Sequence, residues 1–226
     1  MMRKAVLTLL SLASLLLHFE MLEATAGNED RILAVAENME AAFKELEDYT
    51  CDVEQIFYQD GVENQRYLFK FYFKKEKKIR VDFSRPHSGL TIFYHDEDSE
   101  VTVMPLRSLG LKFRLSVDNP LMKTLAGQRI NQTDMGYFIK FMFKNLTSVK
   151  QKESDFQENN ERVEFLFWAM DYIKEKFPEK YRISISKRYW LPIRIERYNL
   201  EDSRLEVTNI KNYVLNAPLQ DKFFVP

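Results

Sequence analysis

A period-two hydrophobic pattern recurs from Tyr49 to Val214, and in several segments both sides of the pattern are apolar. From Tyr49 to Tyr58, Cys51, Val53 and Phe57 alternate with Thr50, Asp52 and Glu54. After a turn at Asp60-Gly61, Tyr67, Phe69, Phe71 and Phe73 line one side of the next segment. A charged tip, Lys74 to Lys78, leads to Ile79, Val81 and Phe83. Leu90–His95 and Glu100–Pro105 follow, and Leu109, Leu111, Phe113 and Leu115 then alternate with Gly110, Lys112, Arg114 and Ser116. The pattern resumes at Val149–Phe156, Arg162–Trp168, Tyr181–Ser186, Pro192–Tyr198 and Arg204–Val214. Period two is the mark of a strand. The segments are short and closely joined, with no room for crossover helices, so the expected sheet is antiparallel with about eleven strands.

A free antiparallel sheet shows polar residues on one face. Here Leu68 and Tyr72 oppose the Phe69-Phe71-Phe73 side, and Leu166 and Trp168 oppose Val163-Phe165-Phe167. Both faces therefore need cover, and a strongly curved sheet with helices in its concave side supplies it. Two helices are expected. Over 30–46, Ile32, Val35, Ala36, Met39, Phe43 and Leu46 recur at spacings of three and four. Over 134–146, Met135, Phe138, Ile139, Met142, Phe143 and Leu146 form one stripe, yet Tyr137 and Phe141 lie outside it and only Lys140 and Lys144 mark a polar edge. That helix is either sandwiched as core or turns one side to an apolar ligand. Residues 119–126 read as a rim, and 171–177 as a short helical insert. Four methionines, Met104, Met122, Met135 and Met142, fall between 104 and 142, and flexible thioethers suit a surface that accepts chains of variable shape or fills core gaps.

Lys and Arg number 33 against 34 Asp and Glu, so no global charge points to nucleic acid. One cysteine, Cys51, excludes an internal disulfide framework, and its place on the apolar side of a strand reads as a buried small residue. Three histidines and six glycines leave no metal-ligand spacing and no phosphate loop. No nucleophile–base pair can be nominated, so the expectation is a non-enzyme without metal or cofactor. The acidic tip Asp96-Glu97-Asp98-Ser99-Glu100 lacks calcium-loop spacing and reads as a solvated turn. The basic tip Lys74–Lys78 is either a solvated turn or a docking point for an anionic lipid surface or acidic partner.

Arg3 and Lys4 precede an apolar run, Ala5–Leu17, too short to span a bilayer, and Ala24-Thr25-Ala26 offers a small-x-small cleavage site. Residues 1–26 read as a secretory signal, with an uncleaved anchor as the alternative, and 27–226 as a single exported domain.

The order of features resembles the outer-membrane lipoprotein carrier (LolA-like) superfamily. The resemblance is carried by Tyr-Thr-Cys-Asp-Val-Glu-Gln (49–55), Ile-Arg-Val-Asp-Phe (79–83), Arg-Pro-His-Ser-Gly-Leu (85–90), Thr-Ile-Phe-Tyr-His-Asp (91–96), Trp-Leu-Pro-Ile-Arg-Ile (190–195), Tyr-Val-Leu-Asn (213–216) and Asp-Lys-Phe-Phe (221–224). It implies a mainly β (α+β) fold: an unclosed, strongly curved antiparallel barrel with helices capping an apolar cavity. It further implies a monomeric, periplasmic carrier that shields lipid or lipoprotein acyl chains on the way to the outer membrane, between an inner-membrane exporter and an outer-membrane acceptor. A lipid-sensing regulatory module is the alternative; such sensors carry a further C-terminal domain, and this chain stops at Pro226. The candidate cavity residues are Phe69, Phe71, Phe73, Met104, Met122, Met135, Phe138, Phe141, Met142, Phe165 and Phe167. In the carrier, an arginine in a Lys-Arg-Pro turn helps hold the lid helices. Here Lys75 falls at the arginine position and Glu76 replaces the proline. Lysine has no planar fork, so the resemblance points to a divergent member, with Lys75 as the candidate lid latch.

Overall fold

The computed structural model describes residues 27, 29–96, 99–125, 127–149, 155–170 and 178–226. The apolar run Ala5–Leu17, the cleavage site before residue 27, the insert 171–177 and the centre of the acidic tip lie outside the described residues. The strands are β1 (Asp48–Gln59), β2 (Val62–Lys74), β3 (Lys78–Arg85), β4 (Thr91–Tyr94), β5 (Glu100–Met104), β6 (Phe113–Ser116), β7 (Phe156–Glu158), β8 (Arg162–Met170), β9 (Pro178–Ser186), β10 (Leu191–Tyr198) and β11 (Arg204–Leu215). The helices are α1 (29–44) and α2 (Met135–Ser148). The strands form one antiparallel sheet in the order β6-β5-β4-β3-β2-β1-β11-β10-β9-β8-β7. Strands consecutive in sequence pair with each other except β6 and β7, and β1 pairs with β11 to join the two halves. β6 and β7 are the two ends and do not pair with each other, so the barrel stays open.

Two strand expectations are trimmed. The pattern at Leu109–Leu115 yields a strand only at Phe113–Ser116, because Gly110 adopts φ 65 at the end of a 3-10 turn over Arg107–Leu109. That left-handed backbone interrupts extension. In the segment expected over Val149–Phe156, residues 150–154 lie outside the described residues, and of the described ones only Phe156 is strand.

The helices cover the concave face. Ile32, Val35, Ala36 and Met39 of α1, and Ile139, Phe141 and Met142 of α2, pack on Val163, Phe165, Phe167, Ile183 and Ile185 of β8 and β9. A second cluster gathers Leu46, Tyr49, Phe71, Phe73, Ile79 and Val81 over β1 to β3. Gly136 lets the helices meet: a Cβ there would lie 2.8 Å from the ring of Phe43 on α1. The start of α2 is fixed twice. Asp134 caps it by accepting from the Tyr137 amide at 3.0 Å, and the buried Tyr49 hydroxyl accepts from the Met135 amide at 3.3 Å.

Cover for the outer face comes from the last residues of the chain. Tyr72 and Phe93 lie against Arg80, whose guanidinium donates to both oxygens of Asp82 (2.9 and 2.7 Å) and to the Phe223 carbonyl. The same guanidinium sits 4.1 Å from the centre of the Phe223 ring. Arg80 is only 3% exposed, a burial its charge tolerates because a carboxylate, a carbonyl and aromatic faces surround it. Asp48 holds the approach to this strap: its buried carboxylate accepts from the amides of Ala217 and Leu219. Asp48→Ala leaves both amides without that acceptor. It is expected to lower unfolding free energy by about 3 kcal/mol, measurable as a drop in urea midpoint at unchanged slope.

The basic tip is spent inside the molecule. Lys74 reaches Asp221, Lys75 Glu47, Lys77 Asp134, and Lys78 both Glu76 and Asp221. Glu76 and Lys77 sit at φ 66 and 51. A proline ring, fixed near −65°, cannot take the conformation of Glu76, so this turn is built differently from a Lys-Arg-Pro turn.

Candidate functional site

Between the sheet and the segment 121–138 lies a cavity of about 330 Å³. Its floor is the concave face of adjoining strands: Cys51, Val53, Gln55 and Phe57 on β1, Tyr67, Phe69 and Phe71 on β2, Val81 and Phe83 on β3, and Glu206, Thr208 and Ile210 on β11. Period two puts each set on one face, and the pairing Val53↔Ile210 and Gln55↔Thr208 places them side by side. The roof is Leu121 to Thr124, Ile130, Met135 and Phe138. The expected rim at 119–126 thus contributes four lining residues, and α2 turns Phe138 inward.

Of the candidate cavity residues, Phe69, Phe71, Met122, Met135 and Phe138 line this space. Phe73, Met104, Phe141, Met142, Phe165 and Phe167 are buried elsewhere. Phe73 packs with Phe43 and Tyr49, whose ring centres are 5.6 and 5.1 Å away. Phe141, 7% exposed, stands edge-on to Tyr181 at 5.6 Å and Phe167 at 6.3 Å. Lys75 donates to the carbonyl of Lys44, the last residue of α1, at 2.8 Å. It therefore grips the end of the first helix, while Lys77, 3.7 Å from Asp134, stands at the start of the second.

One end of the cavity is polar. Gln55 donates to Glu206 at 2.7 Å, Thr208 donates to the same oxygen at 3.2 Å, and Arg197 bridges Glu206 (3.3 Å) and Glu179 (3.2 Å). Pairing and hydrogen bonds are what allow these charges to face an apolar space. The signal for Gln55 stood in the sequence, since it shares the face of Cys51, Val53 and Phe57. Arg197, Glu206 and Thr208 gave none, because only the β1–β11–β10 pairing brings them beside it. Among the described residues no group of three His, Cys, Asp or Glu side chains is placed to hold a metal ion.

Cys51 is free and buried in the cavity floor. Burial, with Asp52 next to it, pushes its thiol well above the ordinary range. The thiolate is the reactive form. Cys51 is therefore expected to stay unmodified by a thiol-specific reagent at pH 8 in the native protein and to react fully in denaturant. Labelling of the native protein at the rate of a free peptide thiol would contradict this placement.

The fold is thus an unclosed antiparallel half-barrel whose helices and rim roof an apolar cavity. It is similar to the solved structure of lipoprotein LppX from Mycobacterium tuberculosis, with a TM-score of 0.51 at 10% identity, covering 84% of this chain and 98% of that one. Two further solved structures share the overall layout at lower similarity. One is a putative outer membrane lipoprotein-sorting protein domain from Vibrio parahaemolyticus (TM-score 0.43, 13% identity, 87% and 97% covered). The other is a LolA superfamily protein from Nitrosomonas europaea (TM-score 0.39, 13% identity, 84% and 97% covered). At such identities the likeness to each is one of fold. No protein-family model matches the chain, and no curated protein matches it.

Proposed function

We propose that the protein is a periplasmic carrier that shields lipid or lipoprotein acyl chains during transfer toward the outer membrane. One observation carries the reading: an apolar space of about 330 Å³, roofed by segment 121–138, is left open where the sheet and α2 do not meet. Cavities of about 300–1,000 Å³ suit small guests. Each buried methylene contributes about 0.8 kcal/mol, so roughly ten of them hold a chain by apolar contact alone, with no catalytic constellation needed. Phe69, Phe71, Met122, Met135 and Phe138 are the acyl-contacting residues in this reading. Gln55, Arg197, Glu206 and Thr208 face the polar end of the guest.

The half-barrel fold shared with lipoprotein LppX supports the reading at the level of the scaffold alone and names no cargo. An exporter that loads the protein and an acceptor that unloads it are the partners the reading requires. The test is direct. Protein purified from an exporting host and released gently into native mass spectrometry is expected to carry an amphiphile, or to bind a fluorescent fatty-acyl probe once stripped. A chain that stays empty and ignores the probe removes the proposal.

A further inference from the structure

We infer that the free edge of the sheet at β6, with the loops on either side of it, docks on an anionic lipid bilayer. Six of the eleven large apolar side chains exposed among the described residues fall within 106–125: Leu106, Leu109, Leu111, Phe113, Leu121 and Leu125. Leu121 is the most exposed of all, at 82%. Singly scattered apolar residues are ordinary, but a concentration of this kind marks an interaction surface. β6 is the terminal strand, so nothing in the sheet covers its outer edge.

The occupant is set by charge. Residues 105–125 hold four basic side chains, Arg107, Lys112, Arg114 and Lys123, against one acid, Asp118, and that acid is paired with Arg129 at 2.6 Å. None of the four has an acidic side chain within ion-pair distance among the described residues, and Lys112 donates to the Pro226 carbonyl at 2.7 Å. The tip at Lys74–Lys78, which the sequence offers as the basic patch, has each of its four lysines matched by a carboxylate. Exposed leucines interleaved with cations that no acidic side chain neutralises are the composition of an interfacial membrane contact: apolar groups enter the acyl boundary while cations meet lipid phosphates. Leu121 and Lys123 also line the cavity. Docking there sets the cavity rim at the bilayer surface, so a guest would pass without crossing water. The inference stands on the surface itself and holds whether or not the cavity carries a guest.

Vesicle flotation tests it, with vesicles of phosphatidylglycerol and phosphatidylethanolamine beside vesicles of pure phosphatidylcholine, at low and high salt. The wild-type protein is expected to float with the anionic vesicles only, and to be released by salt. Arg107→Glu with Arg114→Glu is expected to weaken flotation about tenfold or more, as is Leu109→Asp with Leu111→Asp, and none of these four residues lines the cavity. Leu200→Asp, at an exposed leucine outside the edge, is expected to change nothing. All these positions are exposed, and thermal melting checks that each variant stays folded. Fluorescent-probe uptake in vesicle-free solution separates the two proposals: an edge variant that still takes up probe has lost docking alone. The inference is overturned if the wild type ignores anionic vesicles. Flotation that is indifferent to the edge variants overturns it as well. So does a concentration-dependent dimer abolished by Leu109→Asp with Leu111→Asp in place of vesicle binding, which would make the edge a contact between copies.

Discussion

Phe141→Asp is expected to leave the protein without a cooperative folded state at 25 °C. Phe141 is enclosed by Tyr181 and Phe167 of the sheet and by Phe138 on its own helix. Deleting a buried phenylalanine ring costs about 3–5 kcal/mol. An aspartate at that place adds an unpaired carboxylate in an apolar setting, worth several kcal/mol more unless it protonates. Domains of this kind have about 5–15 kcal/mol in hand, so the sum consumes most or all of the reserve. Far-UV circular dichroism and urea titration check it. A sigmoidal transition with a midpoint near that of the wild type would show that α2 does not pack on β8 and β9 as described.

Phe138→Asp, three residues earlier on the same helix, is expected to do the reverse: fold, and fail to load. Phe138 is half-buried and turns toward the cavity, where its neighbours across the gap are the cavity-lining residues of β1 and β2. A carboxylate there can reach the water of the open rim when the cavity is empty, so folding loses roughly 1–2 kcal/mol. A bound hydrocarbon chain would strip that water, and the probe is expected to bind at least about 100-fold more weakly, equivalent to about 2.7 kcal/mol. Probe affinity measured beside a urea titration separates the two effects. If uptake survives at wild-type strength, the acyl chain does not lie against α2. Equal loss of folding in both variants would mean that Phe138 belongs to the core and the cavity wall lies elsewhere.

The pair shows where reading the chain stops. The stripe on 134–146 says that the helix is apolar nearly all round, but Phe138 and Phe141 are alike in such a pattern. Helical period gives the angle between two side chains, and the neighbouring strands decide which angle meets a sheet and which meets a gap. The same holds for Phe69 and Phe73, which share a face of β2. Phe73 is covered by Phe43 of α1, while Phe69, nearer the start of the strand, lies beyond the helix and borders the cavity. The basic tip was legible as a run of charge, yet its neutralisation by Glu47, Asp134 and Asp221 depends on residues 28 to 147 positions away, among them the capping residue of α2.

Alternation and turn chemistry dictated the eleven short antiparallel strands, the two helices and the need to cover both faces, because these follow from local periodicity and from the cost of leaving apolar surface in water. Which residues share a wall was settled only when β1 closed against β11. That pairing joins positions about 150 residues apart, such as Gln55 and Thr208, and no local signal encodes a long-range register. The position of the void was settled in the same way, since a cavity is the space that packing leaves over, and it belongs to no one segment of the chain.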